Sequence, residues 1–276
     1  YGAPLMASVK GWIWYSPTKF DEWGVEVPQT LEELNTLTAD IQAKSGSAPW
    51  CAGFESGVAT GWPGTDWIED YVLRQAGTDV YDQWAAGEVP FTDPQIKQAF
   101  DSVGELLLNP DYVNAGFGDV RSINSTAFGD VAPALAEGKC ALTHQASFLS
   151  GFFPEGTNVA EDGDVWAFIL PGESAGETTV TGGGEIVGAF TDSAATQQVL
   201  AYLSSPEWAN SRVSLGGVTS ANNGLDPANA QDPILQETIK ILQDPETTFR
   251  FDASDLMPGA VGAGTFWKGM VDWVNG

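Results

Sequence analysis

One histidine among 276 residues leaves little material for a histidine-built metal centre, and makes a Ser-His-Asp relay a poor fit. Two cysteines cannot frame a disulfide-rich scaffold; they leave room for one bridge or for two buried thiols. Basic residues are equally sparse, 11 against 37 acidic ones, for a formal charge of −26. Such a field repels phosphate and anionic lipid, which argues against nucleic acid or a membrane surface as partner. It favours neutral or cationic ligands and suits a salty medium, where self-repulsion is screened. No run approaches the ~20 apolar residues of a membrane span, and the longest candidates, such as Val165–Leu170, are strand-sized. Internal repeats and low-complexity segments are also missing. Tyr1 is preceded by no Met, signal peptide or charged leader, so a processed or partial piece is expected.

What is present is a large stock of core material. Apolar residues make up 43%, with 11 Trp and 14 Phe, enough for one large domain or two small ones. The most informative stretch is Trp50–Trp67, an apolar run that breaks into Gly, Ser and Thr before a helix start near Thr65 or Asp66. Strand, polar-aromatic loop and helix in that order are how an open α/β sheet presents a ligand site. Glu55 and Asp66 supply carboxylates and Trp62 and Trp67 supply indoles, a combination suited to a polyol or carbohydrate. The plainer reading puts both Trp in the core, with Asp66 and Glu69 as a capping box.

Elsewhere the pattern alternates between the two regular structures. A strand is expected over 9–15, ended by Ser16-Pro17. A helix follows, with Thr30 as N-cap, Glu33 three residues on and Gly46 as stop. The helix after Trp67 is expected to end at Gly77, and the next to start at Thr92-Asp93-Pro94. Residues 114–125 read as loop and 126–137 as helix. A strand over 139–145 then ends in His144-Gln145 and runs on to Phe148, repeating the strand, polar, aromatic order. Three glycines at 182–184 lack the spacing of a phosphate loop and read as a hinge or a ligand-facing backbone. Helices are expected over 191–204, with Val199, Leu200 and Leu203 buried, from Ser205, and over 233–242. Residues 249–258 read as loop, before a helix with Phe266, Met270 and Trp273 on its core stripe. Trp267 falls off that stripe and is free for another use.

These elements in this order resemble the extracellular solute-binding proteins of carbohydrate ABC importers. The resemblance is carried by Tyr1-Gly-x-Pro4 leading to Trp14-Tyr15-Ser, Pro28-x-Thr30-x-Glu-Glu-Leu34, Ala134-Leu-Ala-Glu-Gly-Lys139 and Pro206-Glu-Trp-Ala209. Asp255-Leu-Met-Pro258 with Phe266-Trp267 extends it. The type is that of maltodextrin-binding proteins, and Gly61-Trp-Pro-Gly-Thr-Asp-Trp67 looks closest to the α-glucoside-binding members. The resemblance implies an α/β, periplasmic-binding-protein-like two-lobe fold of type II, with the second lobe nearly complete and the first partial. It implies residues 1–182 as second lobe with a crossover strand at its start, 183–248 as the returning part of the first lobe, and 249–276 as the crossover back.

By position, the resemblance implies Glu55 and Trp62 on the ligand loop and Phe148 under a sugar ring, with His144 and Gln145 beside it. It also implies Trp267 as a stacking indole, Asp255 beside the cleft, and Gly183 and Gly184 on the strand back to the first lobe. Asp66, Lys10 and Ser8 are weaker cleft candidates. The exported location that it implies favours a Cys51–Cys140 disulfide. The expected function is capture of a neutral mono- or oligosaccharide, an α-glucoside above all, and its delivery to ABC permease subunits. No catalysis, cofactor or metal is expected, and the protein is expected to be a monomer. The expected location is periplasmic or extracellular, lipid-anchored in a Gram-positive cell. The competing readings are a glycoside hydrolase, with Glu55 and Asp66 or Asp255 as its carboxylate pair, and a cell-surface lectin.

Overall fold

At Lys10-Gly11 the chain leaves one β-sheet and enters another. The computed structural model, which describes residues 2–114 and 117–276, resolves the expected strand over 9–15 into β1 (Gly2–Val9) and β2 (Trp12–Tyr15). Gly11 makes the corner at φ 75°, and a Cβ there would lie 2.8 Å from an Asp70 carboxylate oxygen, so both the turn and the neighbour require glycine.

After β2, a short helix not anticipated from the sequence, α1 (Pro17–Trp23), uses Pro17 in its first turn and packs Phe20 on Tyr15 with ring centroids 4.3 Å apart. Helix α2 (Leu31–Ser45) follows its local signals. The Thr30 hydroxyl accepts from the Glu33 N–H, the Glu33 carboxylate accepts from the Gln29 N–H, and Gly46 ends the helix at φ 68°. Next come β3 (Trp50–Cys51), α3 (Trp62–Ala85) and α4 (Pro94–Leu107), then α5 (Val131–Ala136), β4 (Leu142–Gln145) and β5 (Trp166–Ile169). The helix expected over 126–137 is thus confined to 131–136. The loop expected over 114–125 holds a short helical turn at Val120–Asn124, while Ala115 and Gly116 lie outside the described residues.

Four strands form a mixed sheet in the order β3-β4-β2-β5, in which β2 runs antiparallel to both neighbours and β3 parallel to β4. Side chains alternate across it. Ile13, Tyr15, Trp50 and Leu142 enter the core under α2, α3 and α4, whereas Trp12, Trp14 and Cys51 enter a second core with α5 and Leu149. Both faces are therefore covered, which explains why β2 reads as a continuous apolar run. Cys51 and Cys140 are joined by a disulfide within the second core.

The other sheet has the order β1-β6-β7, with β6 (Thr179–Gly188) antiparallel to β1 and parallel to β7 (Thr248–Phe251). Between β6 and β7 the chain forms α6 (Ala194–Leu203), α7 (Pro206–Val213) and α8 (Pro233–Gln243), whose small core includes Val213, Leu225, Leu235 and Ile239. After β7 come α9 (Ala253–Leu256), a wide helical turn at Val261–Phe266 and α10 (Trp267–Asn275). Residues 249–258, expected as loop, thus contain a strand and a helical turn. The three parts expected from the sequence, 1–182, 183–248 and 249–276, meet inside β6 and inside β7.

The stop expected at Gly77 is a break in α3: the backbone leaves helical geometry there (φ 80°, ψ 175°), and a second helical stretch follows because Tyr81 and Trp84 have core to enter. One further expectation is corrected. Val199, Leu200 and Leu203 of α6 are not buried, and Val199 is 57% exposed, since no described element covers that face. Among the described residues no helix is long and apolar enough to cross a membrane.

Candidate functional site

Three glycines on β6 set the geometry of the cleft. Gly182, Gly183 and Gly184 stand opposite Val9, Ser8 and Ala7 of β1, inside a regular strand and not in a hinge loop. A Cβ on Gly182 would lie 2.3 Å from the Phe249 ring, and one on Gly184 would lie 2.1 Å from the Met6 carbonyl oxygen. The absence of side chains lets the strand pack closely and leaves bare backbone facing a cavity of about 230 Å³. Ser8, Lys10, Gly183, Gly184 and Glu185 line this cavity from the three-stranded sheet, and Val218 from the segment after α7. Trp62, Ser147, Phe148 and Asp255 line it from the four-stranded side and from α9.

The aromatic wall is built by two breaks in the chain. Gly61, at φ 110°, starts α3 at Trp62, earlier than the start expected at Thr65 or Asp66. The strand β4 ends in a helical turn at Ser147–Phe152 that presents Phe148. The Trp62 and Phe148 rings lie 6.1 Å apart, with Phe128 in edge contact behind Trp62 at 5.1 Å. Glu185 and Asp255 bring carboxylates to the same space, and burial, then the Asp252 charge, raises the Asp255 carboxyl above its ordinary value. Rings plus acceptors around bare backbone form a surface for a neutral polyhydroxy ligand or a cation; an anion would meet like charge.

Lys10 forms the floor. Its ammonium donates to Asp66 at 2.7 Å and to Asp252, and sits 5.5 Å from the centre of the Trp62 ring. Two of its three donors are thereby used, and the third remains for the indole face or for a group in the cavity. Burial lowers the Lys10 pKa, but Asp66, Asp252 and Glu69 outweigh it, and the ammonium titrates well above its usual range. Burial, then the Asp252 charge, raises the Glu69 carboxyl well above its ordinary value. Burial opposes the Asp252 charge, but Lys10 and the Glu69 and Ser254 donors hold its carboxyl well below its ordinary value. Glu69 also accepts from the backbone N–H groups of Ala253 and Ser254, at 3.0 and 3.1 Å, tying α9 to α3. Asp66, Glu69 and Asp252 place carboxylate oxygens within 4.8 Å of one another, the spacing of a cation site, and the Lys10 ammonium supplies the positive charge there.

One helical turn on, Asp70 organises a second cluster. It pairs with Arg74 and His144, each at 2.7 Å, and accepts from the Thr181 hydroxyl of β6 at 2.6 Å. Burial opposes ionisation, but the Arg74 charge and the His144 and Thr181 hydrogen bonds outweigh it and lower Asp70 to about 2. Asp66, Glu69, Asp70 and Arg74 thus form one polar face of α3, which fastens all three strands of the other sheet: β1 through Lys10, β6 through Thr181 and β7 through Asp252.

Of the residues singled out from the sequence, Ser8, Lys10, Trp62, Phe148, Gly183, Gly184 and Asp255 come together at the cavity. Asp66 is neither a helix cap nor part of the wall; it is 3% exposed and lies behind Lys10, which takes it out of an open carboxylate pair. His144 is also behind the wall, bonded to Asp70 and lying against Trp67, itself core, at 4.3 Å between centroids. Gln145 is buried, with its side chain folded back onto the Ala146 N–H. Glu55 accepts from the Gly57 N–H at 2.7 Å outside the cavity. Trp267 is half-buried with its backbone against Gly61, and does not line the cavity. Sequence reasoning missed Glu185, Ser147, Val218, Asp252 and the Glu69–Asp70–Arg74 face. The available signal was α3 itself: Trp67, Ile68, Tyr71 and Val72 alternate with acids around the whole helix, as in a helix buried on all sides.

Comparison with known proteins places the chain in a family. The chain is 41% identical over its whole length to the alpha-glucosides-binding periplasmic protein AglE of Rhizobium meliloti, and covers 60% of that protein. It is 39% identical to the osmoprotective compounds-binding protein GgtB of a Synechocystis strain, and covers 64% of it. The chain therefore spans about three-fifths of the length of these curated relatives. Among solved structures, the bacterial solute receptor AcbH, whose described preference is for β-D-galactopyranose, superposes with a TM-score of 0.79 at 20% identity. The match covers the whole of this chain and 67% of the receptor, and shows the two-lobe fold of periplasmic solute-binding proteins. The model of the bacterial extracellular solute-binding protein family matches residues 1–210, and the chain belongs to that family.

Proposed function

We propose that the full-length protein is the ligand-capturing component of an ABC importer for a neutral sugar, an α-glucoside or a related polyol glycoside. The observation that carries this reading is the cavity between the two sheets, walled by Trp62 and Phe148, bounded by the bare backbone of Gly183 and Gly184, and rimmed by Glu185 and Asp255. Indole and phenyl faces cover the CH surfaces of a sugar ring, while carboxylates and backbone groups take its hydroxyls. The third Lys10 donor serves one hydroxyl from below. The name of one curated relative, an alpha-glucosides-binding protein, supports this ligand class.

In this reading residues 1–182 and 249–276 belong to one lobe and 183–248 to the other, and β1, β6 and β7 are the segments across which the lobes close. Closure around the ligand presents it to permease subunits outside the cytoplasmic membrane. The protein works as a monomer without catalysis, cofactor or metal, in the periplasm or at the cell surface, with a lipid anchor where the cell has one membrane. Calorimetric titration of the full-length protein tests the reading. Saturable binding of maltose, trehalose or sucrose is expected, with none of glucose 6-phosphate, whose charge meets Glu185 and Asp255. Binding of the phosphorylated sugar alone refutes the proposal.

A further inference from the structure

We propose that Ser147 is a specificity-determining residue of the cleft, its hydroxyl bonding to one hydroxyl group on the edge of the captured ring. This rests on the sugar-binding reading of the cleft. Ser147 is only 1% exposed, yet it lines the cavity. Its hydroxyl makes no hydrogen bond among the described residues, and it is not sealed off as the unpartnered Ser150 hydroxyl of the same turn is. The little surface that Ser147 retains therefore belongs to its oxygen, on the cavity side. A serine hydroxyl ordinarily turns back to a backbone carbonyl three or four residues earlier. Ser125, Ser204 and Ser214 of this chain do so, at 3.2, 2.9 and 2.7 Å. Ser147 has no such carbonyl to reach, because it follows the strand β4 and an extended Ala146. Three residues of extended chain put that carbonyl about 10 Å away.

The backbone that carries this hydroxyl is fixed. The Gln145 side chain accepts from the Ala146 N–H at 2.8 Å, and the Trp14 indole donates to the Gln145 carbonyl at 3.2 Å. The Ala146 carbonyl in turn accepts from the Leu149 N–H at 3.0 Å. Gln145, buried behind the wall, is thus a positioning residue for Ser147. Successive side chains in a tight helical turn diverge by about 120°. With the Phe148 ring against one face of a sugar, Ser147 meets the ring's edge, where hydroxyls stand. Ser8, on the opposite wall, also has a hydroxyl without a side-chain partner among the described residues, but it is half-buried and can keep water in an open cleft. Ser147 has the cavity alone. A ligand that lacks the matching hydroxyl seals this oxygen away unpaired, and that penalty is what gives a buried polar group its selectivity.

The test is calorimetric titration of the full-length protein with maltose, sucrose and trehalose, then with the monodeoxy derivatives of whichever binds tightest. The proteins compared are the wild type, Ser147→Ala, Ser147→Cys and Ser150→Ala. Ser147→Ala is expected to lose about five- to thirtyfold in affinity. Ser147→Cys, which keeps the volume but bonds weakly, should lose about as much, and Ser150→Ala less than about twofold. One monodeoxy sugar should bind the wild type weaker by a similar factor, and Ser147→Ala should no longer distinguish it from the parent sugar. Tm of the unliganded Ser147→Ala protein should stay within about 2 °C of wild type, because no hydrogen bond within the protein is lost. Wild-type affinity in Ser147→Ala, a large fall in its Tm, or undiminished discrimination among the deoxy sugars would each overturn the role of Ser147 while leaving the cavity as a sugar site. Absence of any sugar binding by the wild type would overturn both.

Discussion

Replacing Lys10 with Met tests the polar floor of the cleft most severely. The side chains match in length, so the change removes a charge with little change in volume. Lys10 is 7% exposed, Asp66 and Asp252 are each 3% exposed and Glu69 is fully buried, so solvent screens almost none of what is lost. Two carboxylates would be left in a low-dielectric pocket with no counter-ion, a change that costs about 3–5 kcal/mol when one partner of a buried pair is removed. For a chain of this size that lowers Tm by on the order of 10 °C. The pH dependence is the sharper signature. In the wild type the ammonium titrates well above its usual range, so it stays charged from pH 7.5 down to pH 5 and holds its partners against the cost of burial. Burial already raises Asp66 well above its ordinary value with Lys10 present; in the variant Asp66 rises further and Asp252 is raised with it. Their proton uptake favours the fold at low pH, and this stability is lost as pH rises through their folded values. The gap between variant and wild type should therefore be widest at pH 7.5 and should shrink at pH 5. Urea unfolding followed by Trp fluorescence at both pH values measures it, with Lys97→Met as control, since the Lys97–Asp101 pair is about two-thirds exposed and worth at most about 0.5 kcal/mol. A Lys10→Met loss below about 1 kcal/mol, or one equal at both pH values, would refute the reasoning.

Two further outcomes follow from the same region. Gly11→Ala is expected to cost about 2–4 kcal/mol, because a Cβ at φ 75° also meets the Asp70 carboxylate at 2.8 Å. Gly24→Ala, at φ 60° in open space, should cost only about 1 kcal/mol in the same thermal-melt comparison. Asp70, lowered from 3.8 to about 2, contributes about 2 kcal/mol that is present above its unfolded value and lost as pH falls from 4 toward 2. Acid titration of Asp70→Asn should lack that part of the slope; an unchanged acid limb would remove Asp70 as its source.

How far the sequence could be read depended on whether a residue's task was local. Thr30, Glu33 and Gly46 begin and end α2 through contacts within a few residues, so their roles were legible. Gly77 was legible as a helix stop through its positive φ; that a second helical stretch follows at once depends on the core waiting for Tyr81 and Trp84. Asp66 and Glu69 have the spacing of a capping box, and nothing within ten residues reveals that Lys10 and Asp252 will arrive from 56 and 183 positions away. Val199 and Leu203 showed the opposite failure, in which a correct apolar stripe on α6 has no described element to cover it. The aromatic part of the site was legible because Trp62 and Phe148 both follow strand ends. Glu185 was hidden by the glycines before it, which drew attention to the backbone and away from the one carboxylate the strand carries into the cavity.

The most direct test of the sugar-capture account is Trp fluorescence of the full-length protein during titration with maltose, trehalose, sucrose and maltotriose, for wild type, Trp62→Ala and Trp267→Ala. A saturable change is expected with at least one of these sugars. It should weaken about tenfold or more in Trp62→Ala, whose ring walls the cavity, and much less in Trp267→Ala, whose ring does not. A folded protein that shows no saturable change with any of the four, or that loses binding through Trp267 and not through Trp62, would contradict the account.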